Sequence, residues 1–245
     1  MRISRIYTAE ELNVGLLLQL DREASNHLSR VLRLKVGNPV TLFNGDGVDY
    51  HGVIEAIERN QVSVHIQSCQ SHNLESPLHI HLYQGVSRGD KMDLTLQKGV
   101  ELGIKEFTPL LTERCGVKLD PKRWEKKVQH WEKVIQSACE QCGRSTLPKL
   151  NPVIDLSIAL EQTDSSHHFF LHPDAKHSFS AYSDAEPTGI IALWVGPEGG
   201  FSDKEIEQAL NNNITAVQLG PRVLRTETAA LAAVSVMNTL WGDFK

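Results

Sequence analysis

From residue 78 onward, short apolar runs alternate with helix-length amphipathic segments, and this alternation restricts the fold more than any other feature. LHIHLYQGV, FTPLLTERC, HHFFLHP, GIIALWVGP and ITAVQLG have the length and the β-branched or aromatic content of buried strands. Between them, DKMDLTLQKGVELG reads as a helix closed by Gly103. PKRWEKKVQHWEKVIQSACEQCG reads as a long helix with Trp124, Val128, Trp131, Ile135 and Ala138 on one stripe. DKEIEQALNN and TETAALAAVSVMNTLW supply two more. Strands separated by helices in this way form parallel α/β sheets, with ligands outside the carboxyl ends of the strands.

The first seventy residues follow a different rhythm. PVTLFN ends in NGDG, a strong hairpin signal, and VDYHGVIEAIE leads through an Arg59-Asn60 turn into QVSVHIQ. Val62, Val64 and Ile66 alternate at period two, and one helix, DREASNHLSRVLRL, is expected to bury Leu28, Val31 and Leu32. Short strands and one helix predict a small β-barrel. SCQSHNLESP is polar, aperiodic and ends in proline, which divides the chain into domains at 1–72 and 73–245.

A net charge of -5 over 245 residues gives no global basic field, so nucleic-acid binding requires a local basic patch. No signal peptide or membrane span is visible, and a cytoplasmic location is expected. Cys139 and Cys142 form a C-x-x-C late in a helical pattern without a second ligand pair, so ordinary reduced thiols and no metal are expected. His79 and His81, and the pair His167 and His168, have no carboxylate or cysteine partners at ligand spacing and read as surface or satisfied core histidines.

Two loops carry the chemistry. WVGPEGGF, residues 194–201, ends an apolar run, and Ser202-x-x-Glu205 then forms a capping box. Gly196, Gly199 and Gly200 allow a tight strand-to-helix turn, yet neither a P-loop nor a dinucleotide fingerprint is present, and Glu198 would repel phosphate. A ligand rich in hydrogen-bonding groups but lacking phosphate is expected. The second loop, LGPRVLRTETAALAA, places Arg222 and Arg225 just before a helix whose cap is Thr226 or Thr228. An isolated Arg-x-Glu of this kind is usually a weak surface pair, but a glycine-rich loop and a basic loop ending successive strands point to a site.

GPEGGF at 196–201 and LGPRVLRTETAA at 219–230 resemble the signature loops of the SPOUT, or α/β-knot, RNA methyltransferases. HLSRVLRLKVGN at 27–38, KMDLTLQKGVELGIKEFTP at 91–109, and CEQCGR at 139–144 with Pro148 extend the likeness to the bacterial 16S ribosomal RNA uridine-N3 methyltransferases. Cys115 departs from the serine more common there. The resemblance implies an N-terminal PUA-like barrel for RNA and a C-terminal parallel-sheet domain with a trefoil knot. It also implies a homodimer and a pocket for S-adenosylmethionine formed by Leu171, His172 and Pro173, by Gly196, Pro197, Glu198, Gly199 and Gly200, and by Leu219, Gly220, Val223 and Leu224. The chain-threading rule argues against a knot, so only the resemblance supplies it.

Methylation of uracil N3 requires loss of a weakly acidic proton. The reading assigns charge stabilisation to Arg225, proton acceptance to Glu198 or Glu227, and orientation of the base or helix start to Thr228. N3 lies on the pairing edge, so the substrate uridine in 16S ribosomal RNA or the small subunit must be unpaired or extruded. Arg2, Arg5, Arg30 and Arg33, and a second group of Arg114, Lys118, Lys122, Arg123, Lys126 and Arg144, are the expected RNA contacts; the second group could equally be a solvated helix face. The alternatives are a non-catalytic RNA-binding dimer and a SPOUT enzyme acting at another RNA position, such as a ribose 2′-oxygen.

Overall fold

A computed structural model describes residues 3–59, 61–184, 187–212 and 214–244. The expected RNA contact Arg2 and the turn residue Asn60 lie outside them. The chain separates into two compact units: residues 1–75 with 136–147, and residues 76–135 with 148–245. The sequence-based division at 72/73 did not anticipate that a later segment belongs to the first unit.

In the first unit, β1 (Ser4–Tyr7), β2 (Leu17–Gln19), β3 (Pro39–Phe43), β4 (Val48–Glu58) and β5 (Gln61–Ser71) form one sheet in the order β1-β3-β4-β5-β2. Only the β1–β3 pair is parallel. The NGDG turn joins β3 to β4 as expected, and Val62, Val64 and Ile66 lie in a core with Leu28, Val40, Leu42 and Ile54. The predicted helix is shorter than its pattern. α1 (Arg22–Asn26) passes into a π-turn over His27–Val31, with Leu32 N–H bonded to His27 O, and Arg33 then takes φ +54°. The wider turn rotates side chains off a 3.6-residue stripe. Leu28 therefore stays buried, while Val31 is 67% exposed and Leu32 is also exposed.

Residues 143–147 are fastened within this unit by a buried polar network. Arg5 pairs with Asp49 and donates to Ser145 Oγ at 3.0 Å, and Arg144 holds Glu75 through Nε at 2.9 Å and Nη2 at 2.5 Å. Both guanidinium groups are engaged in interior ion pairs, unlike the exposed cations named with them as expected RNA contacts; Arg144 is 4% exposed. A buried charge of this kind is tolerated because a carboxylate is fixed against it, although Arg5 Nε is buried without a hydrogen-bond partner among the described residues.

The second unit contains β6 (His79–Gly85), α2 (Lys91–Glu101), β7 (Glu106–Leu111), the start of α3 (Pro121–Cys142), β8 (Lys149–Leu150), β9 (Ile154–Asp155), α4 (Leu156–Gln162), β10 (His167–Leu171), β11 (His177–Ser178), β12 (Ile190–Val195), α5 (Asp203–Asn211), β13 (Thr215–Gln218) and α6 (Thr226–Leu240). Its sheet runs β11-β13-β10-β12-β6-β7-β8, with β9 also beside β7, and every pair is parallel. Successive residues of β12 serve opposite faces. Ala192 and Trp194 join Tyr83, Leu160, Ala209 and Phe201 in one core, while α6 packs against β6 and β12, and against α2.

No described helix is long and apolar enough to cross a membrane, and no cluster of three metal-ligating side chains occurs among the described residues. All four cysteines are free, and burial pushes the Cys139 thiol up to about 12, leaving it inert.

Candidate active site

The chain runs outward from β6 through β7 to β8, then returns to place β10, β12 and β13 on the other side of β6. Such a reversal opens a crevice at the carboxyl ends of the strands. There the loops after β10, β12 and β13 surround one cavity of about 840 Å³. All the residues expected to hold the cofactor line it: Leu171 to Pro173, Gly196 to Gly200, Leu219, Gly220, Val223 and Leu224. Lys91, Arg114, Arg222, Arg225 and Thr226 line it as well. Arg222 and Arg225 are exposed there, and neither is in an ion pair among the described residues.

The 196–200 loop is held from several sides. Gly85, at the end of β6, touches it so closely that a Cβ there would lie 2.4 Å from Pro197 N. Glu198 accepts from the Arg88 backbone N–H at 3.0 Å and from Lys91 Nζ at 3.0 Å. Partial burial alone would raise its pKa, but these bonds hold the carboxylate below its usual range. Arg114 Nη1 donates to Gly199 O at 3.3 Å. The expected capping box is present: Ser202 and Glu205 exchange bonds at 3.2 and 2.7 Å, and Glu205 also accepts from the Glu113 N–H at 2.8 Å.

The start of α6 differs from expectation. Its cap position is Arg225, without a side-chain capping bond, so the first-turn N–H groups have no side-chain acceptor at that end. The Thr226 hydroxyl turns instead to Gly196 O at 2.5 Å and accepts from Gln84 Nε2 at 2.8 Å. Glu227 is 8% exposed, and its Oε2 is a buried oxygen with no hydrogen-bond partner. Thr228 is exposed and, like Glu227, does not line the cavity. Sequence reasoning missed Gln84 and Arg88. A glutamine in an apolar strand immediately before Gly85 was the available signal for the first.

Among the remaining basic residues, Arg30, Arg33, Lys118, Lys122, Arg123 and Lys126 are exposed, while Arg114 lies at the cavity. At the opposite end of β6, His81 accepts or donates at 2.8 Å to Thr108 Oγ1 and stacks on Tyr83, which stacks in turn on Trp194. Burial pushes His81 down to about 4, against an opposing pull from the Glu106 carboxylate.

A parallel α/β domain with its site at a strand-order reversal, following a separate β domain, defines the class. A family model described as "RNA methyltransferase domain" matches residues 74–238, and one described as "RNA methyltransferase PUA domain" matches residues 20–67. Ribosomal RNA small subunit methyltransferase E of Buchnera aphidicola from Schizaphis graminum is 35% identical, over 99% of this chain and 98% of that protein. The Bacillus subtilis protein of the same name is 29% identical, over 94% and 93%. The chain belongs to the ribosomal RNA small subunit methyltransferase E family. Among solved structures, the Neisseria gonorrhoeae member bound to S-adenosyl methionine superposes with a TM-score of 0.92 at 38% identity, covering 100% of both chains. A Legionella pneumophila methyltransferase in complex with the same cofactor reaches 0.96 at 42%, again over 100% of both.

Proposed function

We propose that this protein methylates N3 of a uridine in 16S ribosomal RNA, using S-adenosylmethionine bound in the cavity at the ends of β10, β12 and β13. The observation that carries the reading is the convergence on one cavity of the three loops that the sequence resemblance designates. The residues there suit the cofactor. The volume falls in the range of roughly 300–1,000 Å³ usual for small-molecule sites. Leu171, Val195, Val217, Leu219 and Leu224 offer apolar walls, and the carboxylate of Glu198 disfavours a phosphate ligand. When bound, S-adenosylmethionine supplies an electrophilic methyl on a sulfonium.

The protein's own contribution is position and electrostatics. Arg225, exposed at the cavity, offers its planar fork to the uracil carbonyl oxygens and stabilises the N3 anion. Glu198, held by Lys91 and the Arg88 N–H, serves to fix its loop, which leaves Glu227, buried outside the cavity lining with one unengaged oxygen, as the proton acceptor by way of water. Thr228 lies beside them on the first turn of α6. The exposed cations Arg30, Arg33, Lys118, Lys122, Arg123 and Lys126 bind the RNA backbone. The working form is a cytoplasmic homodimer whose cofactor loops form a trefoil knot.

The test is calorimetry with S-adenosylmethionine alongside turnover of ribosomal RNA. Arg225→Ala should bind the cofactor normally and lose about 10²-fold or more in rate. Full turnover by Arg225→Ala would remove that role. Failure of the unaltered protein to bind the cofactor would leave only an RNA-binding dimer.

A further inference from the structure

We infer that Gln84 is a positioning residue for the cofactor cavity, acting through the hydroxyl of Thr226. The inference rests on the reading of that cavity as the S-adenosylmethionine site. Gln84 is completely buried at the end of β6 and does not touch the cavity. Its Nε2 donates to its neighbour's carbonyl, Gly85 O, at 3.0 Å and to Thr226 Oγ1 at 2.8 Å.

The carbonyl oxygens of Gly85 and Gly196, at 3.0 and 3.5 Å, can only accept, and they identify that terminal atom as the amide nitrogen, which has donors only. Thr226 Oγ1, having accepted one proton, has its own to direct elsewhere, and it donates to Gly196 O at 2.5 Å. The resulting relay runs in one direction: the β6 amide to the α6 hydroxyl to the carbonyl that begins the 196–200 loop. Thr226 and Gly196 both line the cavity, on the walls supplied by the loops after β13 and β12. The Thr226 hydroxyl proton therefore ties those walls together, and the Gln84 amide, itself 3.5 Å from Gly196 O, decides where that proton points. The close contact of Gly85 with Pro197 blocks the loop from settling further inward, so the relay and the contact hold the same edge in register.

Gln84→Leu keeps approximate volume and removes the amide, and Thr226→Val keeps shape and removes the hydroxyl. Each should weaken S-adenosylmethionine binding about tenfold by calorimetry and raise its KM by the same factor, with kcat at saturating cofactor within about threefold of the parent. Thr226→Ser should restore binding. The double variant should be no weaker than the worse single one, because both changes break one relay. A merely structural Gln84 would lower Tm and leave Kd unchanged; that result, or additive losses in the double variant, overturns the inference. If Gln84→Leu does not fold, Thr226→Val against Thr226→Ser decides it, with equal Kd for the two counting as refutation. Absence of binding by the parent protein would instead defeat the cofactor reading itself.

Discussion

Replacing Gly85 with alanine tests how tightly the cavity depends on its backbone. The added Cβ would lie 2.4 Å from Pro197 N, 2.5 Å from Pro197 Cδ and 2.8 Å from Gly196 C. Ordinary contact begins near 3.4 Å, so the 196–200 loop must retreat by about 1 Å, and backbone on both sides leaves no flexible side chain to absorb the change. Overpacking of this kind costs about 1–3 kcal/mol, which for a domain of this size lowers Tm by roughly 3–10 °C. The same displacement moves the wall that carries Glu198 and Gly199, and a shift of about 1 Å in a positioned site can cost up to ~10²-fold in rate. Thermal denaturation and cofactor calorimetry on Gly85→Ala should show both losses. Unchanged Tm together with unchanged affinity would refute the close-packing argument.

Four further outcomes follow from specific groups. His81 is neutral in the fold with a pKa of about 4, whereas the unfolded chain takes up its proton near 6.5. Stability should therefore rise with pH between about 4 and 6.5, by up to ~3 kcal/mol from this residue. Urea midpoints across that range should show the slope, and His81→Gln should flatten it. Arg144→Ala leaves Glu75 and the 143–147 segment without their buried partner, so it should destabilise the protein by about 3–5 kcal/mol. A charge reversal at exposed Lys122 should leave Tm within about 2 °C and lower the salt dependence of RNA binding instead. Glu198→Gln should reduce cofactor affinity more than stability, because its Lys91 partner is 36% exposed and such pairs contribute about 1 kcal/mol or less. A complete loss of kcat with normal affinity would make Glu198 a proton acceptor after all.

Much of the α/β unit was legible because periodicity and local punctuation agree there. The stripe from Trp124 to Ala138, the Gly103 stop and the Ser202–Glu205 box all depend on residues near one another in sequence. The cavity loops were legible as motifs, but their convergence depends on strand order, which no local pattern encodes. α4 went unread because seven residues with Leu156, Ala159 and Leu160 inward give too short a period. Val31 and Leu32 misled because the stripe assumes 3.6 residues per turn, and the chain uses a π-turn there. The roles of Arg5, Arg144 and Thr226 depend on partners 44, 69 and 30 residues away. A charged side chain reads the same in sequence whether it meets solvent or a buried carboxylate.

The central claim is methyl transfer to uridine N3, and that modification leaves a direct trace. A methyl on N3 blocks base pairing and stops primer extension on 16S ribosomal RNA. Cells lacking this protein should lose one such stop, and purified protein with S-adenosylmethionine should restore it on their ribosomal RNA or small subunits. A full set of stops in the deleted strain, unchanged by adding the protein, would contradict the account.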